Sequence, residues 1–345
     1  MKKILITGGL GFIGVHLINH LVRTEDCVID VVDNLANNSV NVEDLGFKKV
    51  RKIHTLPVSS FEFSDVYDQI YHLASPVGPA GVLKYAGKMG QIILNDTMKI
   101  AEYAYENSSS VIFISTSEVY GKDPGNEAQQ EDIDKIVPAK ITTRLEYGAA
   151  KMLTEICLHN FAKHHPFKYN IIRPFNIVGV GQSSKVGFVL PRFVYAALSG
   201  KPITVFGDGK QRRTFAHAKD FVDAIVRIMN SPITGEIFNV GNPANEHSIY
   251  EAAQVVKQMT QSPSVITLTN PKDIYGGDYE EAWNKIPNID KIKSLLSWQP
   301  QYSLKDIVQE IIADYKNRIA NNALRPNHEV EEEIRSFSKM SRYQE

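Results

Sequence analysis

Lys3-Ile4-Leu5-Ile6-Thr7-Gly8-Gly9-Leu10-Gly11-Phe12-Ile13-Gly14 is the stretch on which the fold turns. A short apolar run rich in β-branched residues reads as a buried strand, and three glycines follow it at once. They fit Gly9-x-Gly11-x-x-Gly14 or Gly8-x-x-Gly11-x-x-Gly14. Either spacing supplies a tight turn, a close backbone approach to a pyrophosphate, and a close contact between helix and strand. The apolar stripe Ile13, Leu17, Leu21 marks the next segment as a helix, whose first N–H groups are free to face phosphate. Asp33 ends the next predicted strand, nineteen residues beyond Gly14. An acid there hydrogen-bonds a ribose 2′-hydroxyl and repels a 2′-phosphate, so NAD is expected rather than NADP. Gly8, Gly11, Phe12, Ile13, Gly14, Asp33 and its neighbour Asn34 are the first cofactor candidates.

Outward from this stretch, strands are expected at Lys3–Thr7, Val28–Asp33, Val50–Thr55, Gln69–Ala74, Val111–Ser115 and Tyr169–Arg173. Helices are expected at Phe12–Arg23, Gly90–Asn107 and Tyr147–His164. Apolar strands alternating with helices predict an α/β fold with a Rossmann-type, doubly wound parallel sheet. After Pro174, glycines and prolines become frequent, and helical patterns return at Phe188–Ser199, Ala218–Asn230, Ile249–Gln261 and Leu304–Ala320. A smaller α/β substrate-binding domain is therefore expected, interleaved with the first. The expected division is 1–176 plus about 212–245 for the NAD-binding domain, about 177–211 plus 246–318 for the substrate domain, and 319–345 as a polar tail. Phe238–Gly241 is expected to return to the sheet.

The chain has 345 residues, a prior of about two domains. Lys plus Arg number 38 and Asp plus Glu 39, a net charge of −1, so no overall basic pull toward nucleic acid or an anionic membrane exists. Cys27 and Cys157 are the only cysteines, which excludes a disulfide scaffold and a cysteine metal site. No apolar run reaches the roughly 18 residues of a membrane span, and no metal site is expected. A cytoplasmic enzyme is the expectation.

Two further groups carry chemistry. Tyr147 and Lys151 stand four residues apart, which places them on one helical face. An ammonium near the phenol is expected to lower its pKa, suiting a base that takes a hydroxyl proton as hydride leaves the same carbon. Ser115-Thr116-Ser117-Glu118 follows the fifth strand, at the carboxyl edge where ligands of open sheets sit.

Together with His72-Leu73-Ala74-Ser75-Pro76, Arg173-Pro174-Phe175-Asn176, Val205–Phe215, Ile286–Ile289 and Ser297–Pro300, these motifs resemble the extended short-chain dehydrogenase/reductases. More narrowly they are similar to the NAD-dependent sugar-nucleotide epimerases, dehydratases and decarboxylases. The resemblance implies that hydride leaves the sugar C4 to give a 4-keto intermediate, with Tyr147 as base. Lys151 would bind the nicotinamide ribose, and Thr116 the sugar 4-oxygen. Leu73, Ala74 and Ser75 join the cofactor site. Asn176 and Arg213 would hold the nucleotide diphosphate, and Leu190 and Arg192 would line the nucleobase pocket.

Thr116-Ser117-Glu118 is similar to the Thr-Ser-Glu of UDP-glucuronate decarboxylases and of GDP-mannose 4,6-dehydratases. Glu118 therefore argues for chemistry beyond plain epimerisation, and Arg144 could pair a substrate carboxylate. A UDP-glucuronate decarboxylase-like enzyme is the leading expectation. A nucleotide-sugar 4-epimerase, a 4,6-dehydratase or a C4 dehydrogenase stands beside it, as does a non-catalytic dinucleotide sensor. Relatives dimerise through two helices matching Gly90–Asn107 and Tyr147–His164, so a homodimer is expected.

Overall fold

The structure, a computed structural model, describes residues 1–37, 49–121, 128–135, 137, 139, 141, 143–183, 188–270 and 284–321; the side chains of Pro79, Ala80, Leu83, Thr143 and Arg144 are not among those described. In chain order the elements are β1 (Lys2–Thr7), α1 (Phe12–Thr24), β2 (Cys27–Val32), β3 (Val50–His54), β4 (Gln69–His72), α2 (Gly78–Lys84), α3 (Met89–Asn107), β5 (Ser110–Ile114) and α4 (Thr143–His164). They continue with β6 (Tyr169–Pro174), β7 (Ile177–Val178), α5 (Val189–Leu198), β8 (Ile203–Phe206), β9 (Arg212–Thr214), β10 (Ala216–His217), α6 (Ala218–Asn230) and β11 (Glu236–Val240). The last are β12 (Glu246–Ser248), α7 (Ile249–Thr260), β13 (Ile266–Thr269), α8 (Asp290–Leu296) and α9 (Leu304–Ala320).

Seven strands form one parallel sheet in the order β11-β6-β5-β4-β1-β2-β3. The order reverses beside β1, which makes the crevice at its carboxyl end the natural ligand site. β1 lies inside the sheet with both faces covered, so Ile4, Leu5 and Ile6 are all fully buried. Strand alternation sends Ile4 and Ile6 to one face, against Leu17 and Leu21 of α1 and Phe221 and Ile225 of α6. It sends Leu5 to the other, against Ile100 and Ala104 of α3 and Leu158 of α4. β11 returns to pair with β6, as the Phe238–Gly241 reading expected.

A separate apolar cluster joins α5, α7 and α9 to Ile203 and Val205 of β8. α2 and α8 carry too few residues for a periodic stripe and were not anticipated. α4 begins at Thr143, a turn before the expected Tyr147. That extra turn places Glu146 at the start of α3, where its carboxylate accepts the N–H groups of Gly87 (2.6 Å), Met89 (3.0 Å) and Gly90 (3.3 Å). An acid at a helix N-terminus satisfies orphan donors and opposes the helix dipole. The two helices that flank the site are thereby held in register. The tail expected at 319–345 lies, past Asn321, outside the described residues.

Candidate active site

A single cleft of about 1170 Å³ runs along the carboxyl edge of the sheet, from Gly8 and Asp33 at one end to Leu190, Arg192, Phe206 and Arg213 at the other. Gly8, Gly11, Phe12, Ile13, Gly14, Asp33, Asn34, Leu73, Ala74 and Ser75 all line it, as do Thr116, Ser117, Glu118, Tyr147, Asn176, Leu190, Arg192 and Arg213.

The glycine loop is tight for identifiable reasons. Gly8 has φ +72°, and a Cβ there would lie 2.8 Å from the Ala74 nitrogen. A Cβ on Gly14 would lie 2.4 Å from the Gly8 carbonyl oxygen and 2.5 Å from the Gly9 Cα. Gly11 starts α1 with no side-chain cap, leaving the first-turn N–H groups for a ligand. Asp33 is buried and ties the loop down, accepting from Leu10 N–H (2.9 Å) and Leu35 N–H (2.8 Å). Below, Thr7 joins His72 Nδ1 (2.8 Å), and His72 Nε2 meets Thr97 (3.2 Å). Burial lowers the His72 pKa to about 3, so the ring is neutral in this chain of hydrogen bonds. This cradle fits a dinucleotide: with no Cβ at Gly8 or Gly14 the loop packs directly on Ala74 and on the start of α1, which leaves the uncapped first turn of α1 facing the cleft, where a pyrophosphate binds. Gly14→Ala is expected to displace the loop and weaken NAD binding at least about tenfold by titration calorimetry.

At the middle of the cleft Tyr147 is half-buried and hydrogen-bonded to Thr116, whose hydroxyl oxygen accepts Glu118 N–H at 3.2 Å. Lys151 stands one turn along α4 and is only 2 % exposed. Its ammonium donates to the Ile114 carbonyl (2.7 Å) and lies 4.7 Å from the centre of the Phe113 ring. Burial lowers its pKa to about 7, against an opposing pull from Glu155.

Here one expectation is corrected. The phenol of Tyr147 is not lowered toward neutrality by Lys151. Burial raises its pKa well above the ordinary value, the Thr116 hydrogen bond offsets part of that, and Glu118 raises it further. The ammonium points instead toward the Ile114 carbonyl and the sheet.

Under this group, Ser115 donates to Glu155 (2.5 Å), and Arg173 grips the same carboxylate with Nε at 3.0 Å and Nη2 at 2.7 Å. Lys135 completes the pairing at 3.2 Å. Arg173, read as part of a motif, is therefore a support of the floor and not a cleft residue.

Sequence reasoning missed Lys285. It pairs directly with Glu118 at the cleft wall, reaching it through a bridge between its own backbone and that of Arg213. It stands next to the quoted Ile286–Ile289 motif, but no local pattern marks it. Asn176 lines the cleft with φ +43° and donates to the Thr214 carbonyl (3.0 Å). The Arg192 guanidinium lies 4.1 Å from the centre of the Phe206 ring. The side chain of Arg144 lies outside the described residues, so its expected role is not placed.

A doubly wound sheet with an open glycine turn at its switch point, and a Tyr/Lys helix across the cleft, defines an extended short-chain dehydrogenase/reductase. Residues 4–241 match the NAD dependent epimerase/dehydratase family, and the chain belongs to it. The cofactor is accordingly NAD, which supplies hydride acceptance when bound. UDP-N-acetyl-alpha-D-glucosaminuronate decarboxylase of Bacillus cytotoxicus is 34 % identical over 316 residues, covering 90 % of this chain and 97 % of that protein. UDP-glucuronic acid decarboxylase 1 of Danio rerio is 32 % identical, covering 93 % of this chain and 74 % of that protein. Among solved structures, a Thermotoga maritima UDP-glucose 4-epimerase with UDP-glucose superposes with a TM-score of 0.80 at 25 % identity, over 92 % of this chain and 99 % of that one. Among the described residues, no helix is long and apolar enough to cross a membrane.

Proposed function

We propose that the protein is a UDP-hexuronate decarboxylase. The observation that carries this reading is the Glu118–Lys285 pair at the reaction end of the cleft, an acid and a cation beyond the Tyr147/Lys151 pair. A 4-epimerase of neutral hexoses has no substrate carboxylate for that cation to meet. A uronic acid presents a carboxylate that Lys285 can attract by exchange with Glu118. The decarboxylases among its relatives support the same reaction class.

In this reading Tyr147 takes the proton from the sugar 4-hydroxyl while Thr116 holds that oxygen. Lys151 orients the cofactor ribose from beneath the cleft. Oxidation at C4 turns the C6 carboxylate into a β-keto acid, which loses CO₂ to leave a 4-ketopentose; return of the same hydride to C4 would then give the pentose. Glu118 and Lys285 manage the proton returned to C5. Asn176 and Arg213 hold the diphosphate, Arg192 and Leu190 face the nucleobase, and Ser117 borders the sugar. Asp33 and Asn34 take the adenosine ribose, and Leu73, Ala74 and Ser75 flank the nicotinamide side.

Incubation with UDP-glucuronate and UDP-N-acetylglucosaminuronate, followed by mass spectrometry, tests the reading. Release of CO₂ with a pentose or aminopentose product is expected. An isomeric product without mass change would make it a 4-epimerase, and loss of water from a UDP- or GDP-hexose a dehydratase. Lys285→Met should reduce CO₂ release about 100-fold while NAD affinity is unchanged. Equal loss of NAD affinity would refute that role.

A homodimer through α3 and α4 accompanies this proposal. Leu153 and Ile156 are 49 % and 50 % exposed, three residues apart on one face of α4, and Tyr105 of α3 is 42 % exposed. Such a stripe fits a helix packed on a second copy. Light scattering of the double variant Leu153→Asp, Ile156→Asp should show a monomer where the wild type shows a dimer.

A further inference from the structure

Among the described residues, three acids line the cleft: Asp33, Glu118 and Asp96. Asp33 is held by backbone N–H groups and Glu118 by Lys285. Asp96 has no part in the chemistry described so far.

It stands in the middle of α3, half-buried, facing the segment after β3 that contributes Leu56, Val58 and Ser59 to the same wall. Lys99, one turn further along α3, donates to the Ser59 carbonyl (2.8 Å) and fastens that segment to the helix. Burial raises the Asp96 pKa to about 6, against smaller downward pulls from Lys99 and the Ser59 N–H. Desolvation thus outweighs the donors nearby. An ionised carboxylate has about four acceptor sites, so this one has capacity for a further donor from a ligand.

The donor follows from the order of the cleft. With a pyrophosphate at α1 and a ribose at Asp33, the base of the dinucleotide reaches the wall built by Leu56, Val58 and α3. Adenine presents one strong donor on its edge, the exocyclic amine. Residues 55–60 contain no Asp or Glu to receive it. We propose that Asp96 reads the adenine of the bound dinucleotide, its carboxylate accepting a hydrogen bond from the exocyclic amine.

The proposal rests on the cofactor and not on which sugar reaction follows. Nicotinamide hypoxanthine dinucleotide tests it, because a carbonyl replaces the amine. The protein is equilibrated with equal amounts of the two dinucleotides, and the bound ratio is measured by mass spectrometry after gel filtration.

Wild type should favour NAD by about 10-fold or more, the worth of a hydrogen bond to a charged group. Asp96→Asn retains an acceptor for Ser59 but also offers an N–H, so its ratio should fall to within about 3-fold of unity. Asp96→Ala should likewise lose the preference. A wild-type ratio near one, or an Asp96→Asn ratio equal to that of wild type, would overturn the proposal. The second result would assign Asp96 to fastening the segment alone. Binding of neither dinucleotide would overturn the cofactor assignment itself, and this proposal with it.

Discussion

Tyr147→Phe should abolish turnover, by about 10³-fold or more, with fold and NAD affinity retained. The substitution removes one oxygen. Its ring stays beside Thr116, and Lys151 keeps its own bond to the Ile114 carbonyl. Among the described residues, Tyr147 is the group hydrogen-bonded to Thr116 in the middle of the cleft, while Glu118 is engaged by Lys285 and Lys151 is buried beneath. Because burial and Glu118 hold the phenol high, wild-type kcat should rise with pH until the group deprotonates. The check is single-turnover reduction of bound NAD by the nucleotide sugar, followed by absorbance. Wild type should show it and Tyr147→Phe should not. Retained turnover in the variant would show that another group is the base. Silence in both the variant and the wild type would instead readmit a non-catalytic dinucleotide sensor.

Arg173→Leu should cost about 3 kcal/mol of stability, because it takes the bidentate guanidinium from a buried carboxylate and leaves it only Lys135 and Ser115. Arg173 is 1 % exposed and Glu155 3 % exposed. The guanidinium also donates to the Tyr120 hydroxyl and the Glu131 carbonyl, both at 2.8 Å. Loss of the cation thus takes a donor from three acceptors at once. The pH dependence has a definite sign. Burial raises the Glu155 pKa, but Arg173, Lys135 and Ser115 together outweigh it and hold it below the ordinary value. Stabilisation from a depressed carboxylate is complete above its unfolded pKa and is lost as pH falls through the folded one. The difference in denaturant midpoint between wild type and Arg173→Leu should therefore be largest near neutral pH. It should narrow as pH drops below the ordinary carboxylate range. A pH-independent difference would mean that the loss is one of packing only.

The elements that were legible in the sequence share a property: their physics is local. Gly8, Gly11 and Gly14 lie within seven residues, and their demand for space is met by the loop itself and the adjacent Ala74. Tyr147 and Lys151 share a helix, whose period places them together. The parallel sheet follows from apolar runs separated by helical stripes, and β11 was anticipated from Phe238–Gly241 alone.

What stayed hidden depends on partners distant in the chain. Lys285 meets Glu118 across 167 residues, beside a backbone bridge to Arg213 that exists only once distant segments have packed. Asp96 is one more polar residue on α3 until the segment after β3 closes over it. The state of the Tyr147 phenol was misread for the same reason. Spacing shows which groups are near, but burial and the direction of the Lys151 ammonium decide the charge.

By itself, then, the sequence determined the sheet, the dinucleotide loop and the Tyr/Lys helix, because sterics and periodicity act within a few residues. Tertiary structure alone decided the environment of the phenol, the Glu118–Lys285 pair and the position of Asp96. Desolvation and long-range pairing exist only once distant segments have packed.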